Sequence, residues 1–445
     1  MIPSQRLYWL LALGMAIAVL IASTGQIALS VAVVLLYDTV LLLLMLLDGW
    51  RVKPHRIEAT RAPLHKLSVG RDNSVVLAIR SKNRPARLQI KDFYPLEFAV
   101  SPALFKLDLA PNTSQELHYT IRPHRRGEFS WGAIQVRQLG AWGLAWHDWK
   151  IPASQTAAVY PDLVGLRSLS IRLAVENTGT LRHSRRLGQG TEFAELREYS
   201  RGDDTRLIDW KATARRSRPL VRVLEPEKEQ TLIVLLDRGR LMTAQVQGMQ
   251  RFDWGLNATL SLALAGLNRG DRVGVAVFDK AIATWIPPER GQNQLSKLIE
   301  QLAPIQPVLL EPDYFGAVTR IVSQQTRRAL VVLITDIVDA TASAELLAAL
   351  TRLTPRYLPF AVTLRDPQVS TIAHRRSVLS ERESSQRQVL AVAYSRAVAV
   401  DLLAQREVAF ARLKQQGVLI LDAPADRVGD QLVERYLQLK ARNLL

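Results

Sequence analysis

The residues best equipped for chemistry are concentrated between Gly188 and Asp237, where Glu192, Glu195, Glu198, Asp203, Asp204 and Asp209 alternate with Arg197, Arg201, Arg206, Lys211, Arg215 and Arg216. Paired carboxylates at such spacing suit acid–base catalysis or two-metal phosphoester hydrolysis. The interleaved cations oppose that use, because they depress carboxylate pKa values and compensate the charge a metal needs. No histidine follows His183 in the block, and the chain has neither a Gly-x-Ser-x-Gly elbow nor a phosphate-binding G-x-x-x-x-G-K-[ST] loop. A network of ion pairs is the simpler account, and in a helical run EFAELREYSR Glu198 would pair with Arg201. The expected role is partner binding through Arg197, Arg201, Asp203, Asp204, Asp209, Trp210 and Arg215. Phe193, Leu196, Tyr199, Ile208 and Trp210 supply the apolar side that packs the segment down.

This block feeds into the apolar strand LIVLLD, which ends on Asp237. From there the chain alternates apolar runs with amphipathic ones. Strands are expected at 232–236, 272–278, 329–335, 357–363 and 418–421, and helices at 251–267, 292–302, 314–324, 344–353, 386–415 and 426–440. Apolar strands separated by helices predict a parallel, doubly wound α/β sheet covered on both faces. Its binding face is the carboxyl ends of the strands, where Asp237 and Asp336 both fall.

The N-terminal part differs. Leu7 to Ala22 and Ile27 to Leu47 are apolar runs joined by an uncharged link, and together they predict a transmembrane helical hairpin. Arg6 precedes the pair and Arg51, Lys53, His55 and Arg56 follow it, so the positive-inside rule places both ends in the cytoplasm. Asp38, inside the second run, is a candidate for helix pairing. From Val52 to Tyr160 short alternating runs punctuated by Pro, Gly and Asn predict a small β-sandwich. Trp131, Trp142, Trp146 and Trp149 lie close together there; core or edge packing is their simplest role, and base stacking the alternative. The segment from Pro161 to Leu187 reads as a basic connector of weak periodicity. The expected divisions are thus 1–50, 51–160, 161–230 and 231–445.

Composition agrees with a tethered protein. The 445 residues carry a formal charge of +17 and 48% hydrophobic residues. That balance suits an anionic lipid surface beside an anchor better than nucleic acid. The chain has no cysteine, which excludes disulfides, thiolate zinc sites and cysteine nucleophiles.

The block GTEFAELREYSRGDDTRLIDWKATARRSRPLVRVLEPEKE closely resembles the signature of the family known as domain of unknown function 58, with support from RRGEF…GAWGL and the closing VERYLQLKARNLL. The resemblance implies a membrane-tethered, cytoplasm-facing protein of the inner (plasma) membrane with a von Willebrand factor A-like domain, associated with MoxR-type AAA+ ATPases. It implies a role in assembly or maturation of other proteins. Domains of that kind hold a divalent metal, Mg²⁺ among them, through D-x-S-x-S, a later threonine and a later aspartate. Here Asp237 is present, but Gly239 and Leu241 stand at the serine places, Asp313 lies in the loop expected to supply threonine, and Asp336 matches the last aspartate, with Asp339 close by. Such a degenerate site, flanked by Arg238 and Arg240, predicts protein binding without a cofactor, and a cation such as Arg240 in place of the metal's charge. The leading expectation is a non-enzymatic adaptor. A metal-dependent hydrolase and a nucleic-acid-binding protein are the alternatives.

Overall fold

The structure is a computed structural model and describes residues 1–23, 26–52, 57–64, 66–102, 104–180, 192–200, 202–225, 230–337, 343–374 and 386–442. The chain divides into two compact units, Met1–Tyr160 and Pro161–Leu445.

The first unit begins with two helices, Gln5–Ala22 and Ile27–Val52, both long and apolar enough to cross a membrane. They pair through few polar contacts. The Ser30 hydroxyl donates to the Ala18 carbonyl at 2.7 Å and the Tyr37 hydroxyl donates to the Leu10 carbonyl at 3.1 Å. Gly14 makes room for the Tyr37 ring, since a Cβ there would lie 2.5 Å from it. Ser30 and Tyr37, not Asp38, therefore make these interhelical hydrogen bonds; a hydroxyl reaches a carbonyl without the cost of placing a carboxylate among apolar neighbours.

The rest of this unit is strands. A five-stranded sheet runs Ile2–Pro3, Ala145–Ile151, Ile134–Leu139, Ala86–Asp92 and Phe105–Leu109; a four-stranded sheet runs Glu58–Arg61, Asn73–Arg80, Ser114–Arg122 and Ala99–Ser101. Gln155–Tyr160 completes a three-stranded sheet between Leu67–Ser68 and Gly127–Trp131. Alternation sends Val75, Leu77 and Ile79 of one strand into the core, with the residues between them facing outward or half-buried. Trp131 is buried with them, while Trp142 is exposed, so the tryptophans do not form one platform.

The second apolar helix is fixed to this β region by Asp48. Its fully buried carboxylate accepts the backbone N–H of Trp142 and of Leu144, each at 2.9 Å. A side chain on Gly140 would collide with that carboxylate, so the turn requires glycine there. The same turn is gripped from the N-terminus. The Ser4 N–H donates to the Leu144 carbonyl at 3.0 Å, and Ile2 and Pro3 pair with Trp146 and Ala145.

The second unit is built on a six-stranded sheet ordered Ile282–Glu289, Arg272–Phe278, Thr231–Asp237, Leu330–Thr335, Leu358–Arg365 and Leu419–Pro424. Counted along the sequence this order is 3-2-1-4-5-6, that of a doubly wound sheet. Both faces are covered. Leu232, Val234 and Leu236 of the central strand pack under helices Arg251–Asn268, Gln292–Leu302 and Val428–Ala441, whereas Ile233 and Leu235 pack with Tyr314–Gln324, Ala344–Thr351 and the end of Gln386–Gln415. Each such fully buried aliphatic side chain contributes about 1.5–3 kcal/mol.

Two expectations are corrected, and one conformation that the sequence left open is fixed. The sheet is mixed, because Ile282–Glu289 joins it antiparallel as an edge strand. Pro287 and Pro288 hid this strand in the sequence, yet residues without an N–H are tolerated at an edge. The expected connector after Pro161 contains a helix, Leu163–Thr180, whose Leu166, Leu169 and Leu173 enter the core of the second unit. The run EFAELRE is a strand, Glu192–Glu198, paired antiparallel with Leu220–Glu225.

Candidate functional site

Two places bring the predicted residues together: the carboxyl ends of the sheet strands and the antiparallel arm that precedes them. At the sheet, the first and fourth strands lie side by side at the point where the winding reverses, the usual crevice of such folds. Asp237 ends one and Asp336 follows the other.

Asp237 is fully buried among neutral donors. One carboxylate oxygen accepts the Gly239 N–H at 2.7 Å; the other accepts the Thr335 hydroxyl at 2.7 Å and the Tyr314 hydroxyl at 3.2 Å. Burial pushes its pKa up, while the bonds from Thr335, Gly239 and Tyr314 pull it partly back. Burial and the nearby Asp237 likewise push the Tyr314 phenol up.

Asp336 is held by charge. Arg251 approaches one oxygen at 2.6 Å and Arg406 the other at 2.9 Å, and the two guanidiniums come from different helices. Arg406 also reaches Asp422 at 2.8 Å, which accepts the Thr363 hydroxyl at 2.9 Å. These arginines, not the expected neighbours, meet the acid. Arg238 pairs with Asp279 and Arg240 with Glu311.

A divalent cation does not fit this arrangement. Hard cations need several free oxygen ligands. Both oxygens of Asp237 and of Asp336 already accept from protein donors, and Asp313 caps its helix by accepting the Gly316 N–H at 2.7 Å. Gly239 offers no oxygen in a side chain, and a Cβ there would lie 2.8 Å from the Leu310 carbonyl, so the backbone leaves no room for the serine of the metal motif. Leu241 is apolar. Among the described residues no group of three or more His, Asp or Glu is placed to hold a metal. Asp339 lies outside the described residues.

The arm is a β-hairpin whose connection contains the turn Thr205–Leu207 and the helix Trp210–Arg216. Its acids organise its own backbone. Asp203 accepts the Ser200 N–H at 2.8 Å and the Arg197 guanidinium at 2.7 Å, and these bonds hold its carboxyl below the usual range. Asp204 caps the turn through the Arg206 N–H at 2.9 Å. Asp209 caps the helix through the Ala212 N–H at 3.0 Å and binds Arg222 at 2.8 Å, which lowers its pKa in the same way. Glu198 pairs with Arg218 at 3.0 Å; Arg201, its expected partner, lies outside the described residues.

What the arm leaves in solvent is different in kind. Trp210 is 71% exposed, and Arg206, Lys211, Arg215 and Arg216 are exposed cations without an ion pair among the described residues. Of the expected partner-binding set, Trp210 and Arg215 face outward, whereas Asp203, Asp204, Asp209 and Arg197 are committed within the arm. Sequence reasoning missed Tyr314, Thr335, Arg251 and Arg406 at the sheet face. Only the position of Thr335 beside Asp336 offered a local signal.

The fold and these two places define a protein with an apolar helix pair, antiparallel sheets and a mixed α/β sheet whose strand-end acids are held by protein donors. A family model described as "Protein of unknown function DUF58" matches residues 195–405, from the arm into the helix that carries Arg406. The chain is 26% identical over 177 residues to the uncharacterized protein Rv1480 of Mycobacterium tuberculosis, covering 38% of this chain and 56% of that one. It is 24% identical over 191 residues to the uncharacterized protein YeaD of Bacillus subtilis, covering 43% of this chain and 46% of that one. The chain thus spans about half the length of the curated relatives it matches. Among solved structures it is similar to the conserved hypothetical protein BatB of Bacteroides thetaiotaomicron, with 14% identity, a TM-score of 0.32 and coverage of 48% of this chain and 99% of that one. An aerotolerance-related membrane protein of Bacteroides fragilis is similar at 14% identity, a TM-score of 0.31 and the same coverage.

Proposed function

We propose that this chain is a membrane-tethered adaptor, facing the cytoplasm, that docks a protein partner and performs no chemistry of its own. The observation that carries the reading is the arm: its acids are spent on caps and ion pairs, leaving an exposed Trp210 beside exposed Lys211, Arg215 and Arg216. Tryptophan and arginine are the side chains that dominate protein–protein binding energy. The sheet face supports the same reading, since both oxygens of each acid are already engaged, by Gly239, Tyr314 and Thr335 at Asp237 and by Arg251 and Arg406 at Asp336.

The strand order supports a von Willebrand A-like reading of the α/β unit, and the alternating antiparallel strands support a sandwich reading of the β region. The partner that the family resemblance implies is a MoxR-type AAA+ ATPase. Affinity capture of the full chain from membranes in mild detergent, with and without ATP, tests this. The ATPase should be retained by the wild type and lost with Trp210→Ala and Arg215→Glu, each variant keeping its circular dichroism. Capture that both variants preserve would remove the arm from the interface. Calorimetry of the full chain with Mg²⁺ decides against the hydrolase alternative if no heat of binding is seen.

A further inference from the structure

Where the apolar helices meet the strands of the first unit, a cavity of about 450 Å³ is lined by Arg6, Arg51, Arg84 and Arg87, with Asp108 the only acidic side chain in its wall among the described residues. Arg87 spends its charge on Asp108 at 3.0 Å. Arg6, Arg51 and Arg84 have no ion pair among the described residues, and Arg51 lies 4.6 Å over the Trp142 ring, which orients it without neutralising it. All three side chains are exposed, so water screens them, yet they face one cavity with no acid of their own to pair with. An anion entering it would meet three available guanidiniums.

The position of the cavity identifies the anion. Arg6 is in the first turn of one apolar helix and Arg51 in the last turn of the other, so both mark the same end of the pair. Trp50 immediately precedes Arg51 and Trp9 follows Arg6 by about one helical turn; both are exposed, as tryptophans are at the headgroup level of a bilayer. Guanidinium forks match phosphate oxygens bidentately, and basic residues beside membrane helices attract anionic lipids. We propose that this cavity binds the phosphate headgroup of an anionic membrane phospholipid. The proposal rests on the reading of the two helices as membrane-spanning. It assigns the lipid a fixed place beside Asp48 and the turn that this residue holds.

Native mass spectrometry of the full chain, exposed to equimolar phosphatidylglycerol and phosphatidylcholine in detergent, tests it. Retained phosphatidylglycerol should exceed phosphatidylcholine on the order of tenfold. The combined variant R6Q/R51Q/R84Q should bring the ratio close to parity. Arg84→Gln, which leaves both helices untouched, should lower it severalfold and keeps the test decisive if the triple variant fails to fold. Excess inorganic phosphate should leave the ratio unchanged; if it displaces the lipid, the site takes free anions and the proposal fails. Equal loss of preference on R206Q/R215Q/R216Q would assign it to general surface charge and overturn the cavity. A wild-type chain that stays in carbonate-washed neutral vesicles but shows no preference overturns this inference alone. One that washes off overturns the membrane reading with it.

Discussion

The sheet face and the arm use the same vocabulary of aspartates and arginines to opposite ends. At the sheet, Asp336 and Arg406 are nearly inaccessible, with side chains 3% and 8% exposed. In the arm, Asp209 and its partner Arg222 are more open to water, at 16% and 54%. Burial decides the consequence. A buried pair is costly to break because the surviving charge cannot be hydrated, while an exposed pair is screened and its loss is local. The sheet face is therefore a structural knot, and the arm is free to change its exposed residues without unfolding the protein.

Four substitutions sharpen this contrast or break it. Arg406→Leu should have the largest effect, lowering the unfolding free energy of the α/β unit by about 3 kcal/mol, with Arg251 retaining part of the pairing. Chemical denaturation followed by circular dichroism reads this, and adding Asp336→Asn should recover part of the loss. Tyr314→Phe comes next, at about 1–2 kcal/mol. Asp237 has a raised folded pKa, so it costs stability as the pH rises from the unfolded value of about 3.9 through the folded one, and removing a donor raises the folded value and extends that loss to higher pH. The Tyr314→Phe deficit should thus be smallest in acid and grow with pH; a deficit flat with pH would mean that Asp237 does not titrate there.

Asp209→Ala should have a smaller effect, confined to the arm. The folded pKa of Asp209 is depressed, so its contribution is present above the unfolded value of about 3.9 and is lost as the pH falls through the lower folded value. Hydrogen exchange at the Leu220 amide, which Thr213 of the capped helix holds at 3.0 Å, should report it. Trp210→Ala should be smallest, changing stability by no more than about 0.5 kcal/mol. A large loss of stability there would make the tryptophan a packing residue and end the contrast.

The sheet was legible because its strands are continuous apolar runs, and Asp237 and Asp336 could be placed at strand ends by counting. The arginines that meet Asp336 were not, because Arg251 and Arg406 are brought in by helices distant in sequence. The conformation of the arm was open in the sequence: EFAELRE has charges three apart, which would suit a helix, and its pairing with LVRVLE, which holds two valines, makes both strands. The helix at Leu163 carries a usable signal in Leu166, Leu169 and Leu173, which recur at helical spacing within a basic segment. Asp48 was hidden differently. It follows an apolar run whose other acid, Asp38, drew the chemical argument, and only the folded turn shows which carboxylate is used.

That use of Asp48 has a structural consequence. An apolar helix of 26 residues is about 39 Å long, and about one turn before its end the Asp48 carboxylate is hydrogen-bonded to two amides of a turn that continues into strand Ala145–Ile151. Helix and strand are thus joined by side-chain as well as chain contacts, and Asp48→Ala would leave the amides of Trp142 and Leu144 without this acceptor.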